Sequence, residues 1–207
     1  MGNHQFAIND FNDAIKIDPS YAEAFYRRGI SQLKSRRYLE SIEDFKTSQD
    51  LDTKNENAGI YNGLACCYHA LRDFDKALSF FHTAIDKDQT NIEFLMSRSQ
   101  CYYDLKLFTD CIKDLNTALQ IDDNNSRVLY LLGLAYYAFE KYKKCIKTLK
   151  AALQNRPFAS YEADIYYHIG LAYCNQEKFE KSIYPFSVVS ICLYSLFLLS
   201  WGVHKYL

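Results

Sequence analysis

The chain has 207 residues, 49% of them apolar, and its Lys and Arg (24) almost balance its Asp and Glu (25). The apolar share excludes a disordered chain, which could not bury a core, and a net charge of −1 lacks the basic excess that nucleic-acid binding by counterion release requires. Seven Gly and three Pro, about 5% of the residues against an ordinary ~12%, leave few turn formers and point to helices.

In chain order, a phrase of aromatic, small, aromatic or Leu, small recurs at spacings of three, four and three. Residues 1–21 carry it once, as His4-Ala7-Phe11-Ala14, and read as one helix and a turn. From residue 22 onward a second phrase precedes it. Residues 22–57 hold Phe25-Arg28-Gly29-Gln32 and Tyr38-Ser41-Phe45-Ser48. Residues 58–91 hold Tyr61-Leu64-Ala65-Tyr68 and Phe74-Ala77-Phe81-Ala84. Residues 92–125 hold Leu95-Arg98-Ser99-Tyr102 and Phe108-Cys111-Leu115-Ala118. Residues 126–159 hold Leu129-Leu132-Gly133-Tyr136 and Tyr142-Cys145-Leu149-Ala152. Residues 163–186 end the series with Tyr166-Ile169-Gly170-Tyr173 and Phe179-Ser182-Phe186. Offsets of three, four and seven place each phrase on one helical face, so each unit is a helix A followed by a helix B. The small residue of helix A (Gly29, Ala65, Ser99, Gly133, Gly170) predicts a close approach of helix B.

On these residues the chain resembles the tetratricopeptide repeat proteins, whose pattern is W-x2-L-G-x2-Y, then A-x3-F, then P. The unit 126–159 matches best, through Leu129, Leu132, Gly133, Tyr136, Tyr142, Cys145, Leu149, Ala152 and Pro157. The resemblance covers residues 4–186 and implies an all-α fold, a right-handed α-α superhelical solenoid of helix pairs. It makes 1–21 a partial repeat and 163–186 an incomplete one. Gln32 departs from the usual Tyr, and Thr53, Gln89 and Asp123 replace the usual Pro. Insertions lengthen the turns near Asn55–Asn57 and Ser160–Glu162. The unpaired first helix and the apolar end raise the expectation of a fragment of a longer array or an incomplete gene model.

The resemblance also implies a function, because A helices of this family line a concave groove. Carried over position by position, the groove candidates are Tyr26, Ile30, Asn62, His69, Met96, Gln100, Tyr103, Arg127, Tyr130, Leu134, Tyr137, Tyr167 and Leu171. Tyrosines there offer contact area and a polar tip at little entropic cost. The expected role is a non-enzymatic scaffold or adaptor holding a peptide or helix of a protein partner; the alternative is that these side chains only pack repeats together. The family's clamp for chaperone carboxylates needs Lys, Asn and Arg at fixed groove positions. One register offers Tyr26, Ile30, Gly63, Glu93 and Ser97, the next Asn62, Cys66, Ser97, Arg127 and Leu131, and only Arg127 fits; no clamp is expected. No phosphate-binding, zinc-protease or serine-hydrolase motif occurs, so no enzyme and no cofactor is expected. The five histidines lie on separate repeats, and Asp86-Lys87-Asp88 and Asp122-Asp123-Asn124 lack the Gly and final Glu of calcium loops, so they read as turns and no metal is expected. Seven scattered cysteines without CxxC suit a reduced, cytoplasmic chain, with Cys111 and Cys145 as small packing residues.

Near the C-terminus the pattern changes. Pro185 falls inside the last helix B, where it costs about 3 kcal/mol, and a helix boundary is expected there. Residues 186–203, FSVVSICLYSLFLLSWGV, carry no charge and as a helix span about 27 Å, against a bilayer core of about 30 Å. Tyr184, Trp201 and Tyr206 flank the segment as interfacial aromatics do. The tail, 186–207, therefore reads as an anchor of a tail-anchored membrane adaptor, as a buried cap over the last repeat, or as read-through sequence. A further alternative, by analogy alone, is a fragment of a large multi-repeat assembly protein of cilia or transport complexes. The apolar ends also raise self-association.

Overall fold

The computed structural model describes residues 2–54, 56–155 and 159–190. All regular structure among them is helical, and the chain separates into two compact units, residues 1–105 and 106–207. The first contains α1 (Gly2–Ile17), α2 (Ala22–Lys34), α3 (Tyr38–Leu51), α4 (Ala58–Ala70), α5 (Phe74–Lys87) and α6 (Ile92–Asp104). The second contains α7 (Phe108–Ile121), α8 (Ser126–Ala138), α9 (Tyr142–Gln154), α10 (Ala159–Cys174) and α11 (179–190). The fold is the expected all-α series of A and B helices.

Asparagines start three of the A helices, α4, α6 and α8. Asn57 accepts a hydrogen bond from the Gly59 N–H (3.0 Å), Asn91 from Phe94 (3.4 Å) and Asn125 from Val128 (3.1 Å), each satisfying a donor that the first helical turn leaves free. Two of the turns before them are organised by aspartates, each one residue ahead of the position where Gln89 or Asp123 replaces the usual proline. Asp88 accepts from the Thr90 backbone N–H (3.1 Å) and hydroxyl (2.9 Å), and Asp122 accepts from Asn124 N–H (3.3 Å). An Asx turn of this kind supplies the local restraint that proline's fixed φ otherwise gives.

Within each pair, the turn from A to B ends α2, α4, α8 and α10 in the same way. At the first, the Arg36 N–H donates to the Leu33 carbonyl (3.0 Å) and the Arg37 N–H to the Gln32 carbonyl (2.9 Å). These are the two bonds of a Schellman motif, which requires a left-handed residue after the helix. That residue is never glycine here. Arg36, Arg72, Lys106, Glu140 and Glu177 have φ between 58° and 63°.

The small A-helix residues do what their spacing predicts. In the first unit the fully buried Phe45 ring of α3 lies on Gly29 of α2, whose added Cβ would stand 3.0 Å from ring carbon Cε1. In the second, a Cβ on Gly133 would stand 2.5 Å from Leu149 Cγ, and one on Gly170 would stand 2.6 Å from Phe186 Cε1. Ser41 adds a polar tie by donating to the Gly29 carbonyl (2.8 Å). Around Phe45 the core closes with Ile42, Ile60, Leu64 and Cys67. In the second unit Leu129, Cys145, Ile146, Leu149, Ile165 and Ile169 pack α8, α9 and α10 together.

The expected boundary at Pro185 does not occur. Helix α11 runs through it from 179 to 190. Pro185 is buried on the same face as Ser182, and one residue on, Phe186 seats against Gly170 and the Tyr167 ring (6.2 Å between centroids). The carbonyl that loses its donor belongs to exposed Lys181, and packing on α10 outweighs that single lost bond. Most of the apolar tail, 191–207, lies outside the described residues. No helix among the described residues is long and apolar enough to cross a membrane.

Candidate partner-binding surface

In the first unit, the candidates from α2 and α4 lean into the core as much as outward. Tyr26 and Ile30 are half-buried against the cluster around Phe45, and the Tyr26 and Phe45 rings are 6.0 Å apart. The Tyr26 hydroxyl reaches the position a Cβ on Gly59 would occupy, so the glycine makes room for it. Burial also holds the Tyr26 phenol protonated by raising its pKa. Asn62 is half-buried, with a side-chain oxygen that has no hydrogen-bond partner. Met96 is buried (4% exposed), and here the expectation of a groove-facing side chain is corrected: its flexible thioether fills packing space and offers no accessible surface.

His69, Gln100 and Tyr103 lie toward the C-terminal ends of α4 and α6. The His69 ring nitrogen Nε2 is 2.8 Å from one Asp104 oxygen, and Gln100 donates to the other (3.0 Å). The structure thus brings His69 and Gln100 together on a carboxylate that the sequence pattern did not single out. Tyr103 is half-buried beside them in sequence on α6.

The second unit carries a denser arrangement. Tyr130 of α8 donates its hydroxyl to Asp164 of α10, and its ring stacks on Tyr161 at 5.0 Å. About two turns further along α8, the Tyr137 hydroxyl accepts from the Asn175 amide (3.1 Å). The Tyr137 ring meets His168 edge-on at 5.6 Å and Tyr142 at 5.7 Å. His168 is anchored from below, with Nδ1 2.9 Å from the Asp164 carbonyl and 3.3 Å from its carboxylate. Tyr167 meets the His168 ring at 5.5 Å and remains 44% exposed. Leu134 and Leu171 are half-buried, and Arg127 is exposed at the start of α8.

Two members of this aromatic group, Tyr161 and His168, were absent from the candidates. Tyr161 lies in the first turn of α10, where the sequence suggested an inserted turn outside the repeat register. His168 had a readable signal, the four-residue spacing from Asp164 that pairs side chains on a helix. The arrangement offers aromatic faces and polar tips held by hydrogen bonds. Among the described residues no group of His, Cys, Asp and Glu is arranged to hold a metal ion. Burial pushes the Cys67 and Cys101 thiols up to about 11, and those of Cys66 and Cys145 up to about 12, where the reactive thiolate is scarce.

Comparison with known proteins bears on this surface. A family model described as tetratricopeptide repeat matches residues 26–92, and one described as anaphase-promoting complex, cyclosome, subunit 3 matches residues 81–152. Among curated proteins, a DnaJ homolog subfamily C member 7 homolog of Dictyostelium discoideum is 41% identical over 49 residues, 24% of this chain. A small glutamine-rich tetratricopeptide repeat-containing protein 2 of Mycosarcoma maydis is 38% identical over 56 residues, 27% of this chain. The matched segments span only 9% and 16% of those proteins. Among solved structures, MamA from Desulfovibrio magneticus RS-1 superposes with a TM-score of 0.73 at 16% identity, over 84% of this chain and 96% of its own. YrrB, described as a TPR protein with an unusual peptide-binding site, superposes with a TM-score of 0.67 at 16% identity, over 94% and 97%. At such identities the structures speak for the fold alone, a tetratricopeptide repeat solenoid, and the matched family models place the repeats in residues 26–152 of this chain.

Proposed function

We propose that this chain is a non-catalytic scaffold whose A helices hold a peptide or helix of a protein partner. Tetratricopeptide repeats as a class serve protein–protein interaction, and the finer reading rests on the second unit. There Tyr130, Tyr137 and Tyr167, with Leu134 and Leu171 between them, form an aromatic surface braced by Asp164, His168 and Asn175. Preorganised tyrosines lose little freedom on binding, which makes such a surface a good anchor for a peptide. Tyr26, Ile30, Asn62, His69, Gln100 and Tyr103 supply the corresponding surface in the first unit. YrrB, whose description names a peptide-binding site, supports the same class of ligand.

Selection of a displayed peptide library on the purified chain tests the reading. Enriched peptides are expected to bind at about micromolar Kd and to lose about tenfold with Tyr167→Ala, a change at a half-exposed ring that leaves the core intact. Failure to enrich any peptide, or binding indifferent to Tyr167→Ala and Tyr137→Phe, refutes it.

A further inference from the structure

We propose that the face of the second unit formed by α7, α8 and α9 docks an acidic amphipathic helix of a protein partner, apart from the A-helix surface described above. Helix α9 carries Lys143, Lys144, Lys147 and Lys150 and no acidic residue, with Lys141 at its N-cap. All five are exposed, and none forms an ion pair with a carboxylate among the described residues. In a chain whose net charge is −1, this is a local and uncompensated concentration of positive charge.

The lysines are not spread over a flat polar surface. Lys144 and Lys147 stand at the edge of a groove of about 360 Å³ whose apolar lining is Leu119, Leu129, Leu132, Tyr136 and Ala151. The walls come from α7 and α9 and the base from α8. The Lys144 ammonium sits 5.5 Å over the Tyr136 ring, and Lys150 donates to the Tyr173 hydroxyl (3.2 Å). Both contacts hold the lysine stems along the aromatic surface and leave charge directed to solvent.

An apolar trough with a cationic edge specifies its occupant by complementarity. Apolar side chains displace water from the trough, and carboxylates beside it meet lysines in a partly desolvated setting, where charge pairs gain more than on an open surface. Lys144 and Lys147 stand three residues apart, about 4.5 Å along α9, matching acidic residues three or four apart on a helix laid into the groove. A nucleic-acid backbone has no use for the apolar lining, and a lipid surface requires apolar side chains that project outward, whereas these are recessed.

The test uses the full chain and fluorescence anisotropy of a labelled synthetic helix with leucines at i, i+3, i+4 and i+7 and glutamates on the flanks. Saturable, salt-sensitive binding is expected, weakened about tenfold or more by the double reversal Lys144→Glu with Lys147→Glu, and unchanged by Tyr167→Ala. Both lysines are exposed, and an unchanged circular dichroism melt confirms that the reversed variant is folded. The proposal is overturned if a scrambled peptide of the same composition binds equally, or if the double reversal leaves binding unchanged. It is equally overturned if phosphatidylserine vesicles or a single-stranded oligonucleotide bind at this face and the amphipathic peptide does not.

Discussion

Replacing Gly63 by alanine tests how the first unit is assembled. A Cβ at this position would stand 2.6 Å from Phe45 Cε2 and 2.8 Å from Cε1, with Cζ nearer still. The ring cannot retreat, because its other side lies on Gly29, and it is enclosed by Ile42, Ile60, Leu64 and Cys67 with no exposure of its own. Overpacking of a closed core costs about 1–3 kcal/mol, while alanine in a helix interior returns up to about 1 kcal/mol over glycine. A net loss of about 1–2 kcal/mol is therefore expected, read as a lower urea midpoint in circular dichroism. Phe45→Leu should relieve the clash, so the double variant with Gly63→Ala should be more stable than the sum of the two single losses predicts. If Gly63→Ala is as stable as the parent, the ring is not confined between α2 and α4 as described.

Three further outcomes follow from the same geometry. Glu140→Gly removes a left-handed conformation (φ 58°) from a side-chain-bearing residue and should raise stability by about 0.5–1 kcal/mol in urea titration, whereas Glu140→Ala should not. Asp44 receives two hydrogen bonds from Arg28, at 2.6 and 2.7 Å, while Arg28 also donates to Asn12 at 2.7 Å. Asp44→Ala leaves that half-buried guanidinium without its carboxylate and should cost about 2 kcal/mol or more, again in urea. Cys145 has its thiol raised from an ordinary 9.0 to about 12 by burial. In the unfolded chain it ionises near 9 while the folded chain keeps its proton. Stability should therefore be fully present below pH 9 and fall as pH rises toward 12, by up to about 1.4 kcal/mol per pH unit. Cys145→Ala should make that alkaline decline measurably shallower.

The helical fold was legible because its signals are local. Offsets of three, four and seven name a helical face without any knowledge of the partner, and Gly29, Gly133 and Gly170 announce a close helix approach by lacking a side chain where the phrase demands contact. The acidic runs Asp86-Lys87-Asp88 and Asp122-Asp123-Asn124 were likewise readable as turns.

What the residues meet across helices was not legible. Gly63 stands outside the repeated phrase, yet it bounds the Phe45 ring more closely than Gly29 does. Met96 occupies a groove register and is buried. Pro185 carries a strong local instruction to stop, and the seating of Phe186 on Gly170 overrides it. Tyr161 and His168 join Tyr130 and Tyr137 only because α8 and α10 lie side by side, and the lysines of α9 become the edge of a groove only because Leu119 and Leu129 arrive from two other helices. Periodicity along a chain determines which side of a helix is apolar. Packing between helices, which depends on side-chain shape at several distant positions at once, decides what each side touches, and the candidate binding surfaces arise at that level.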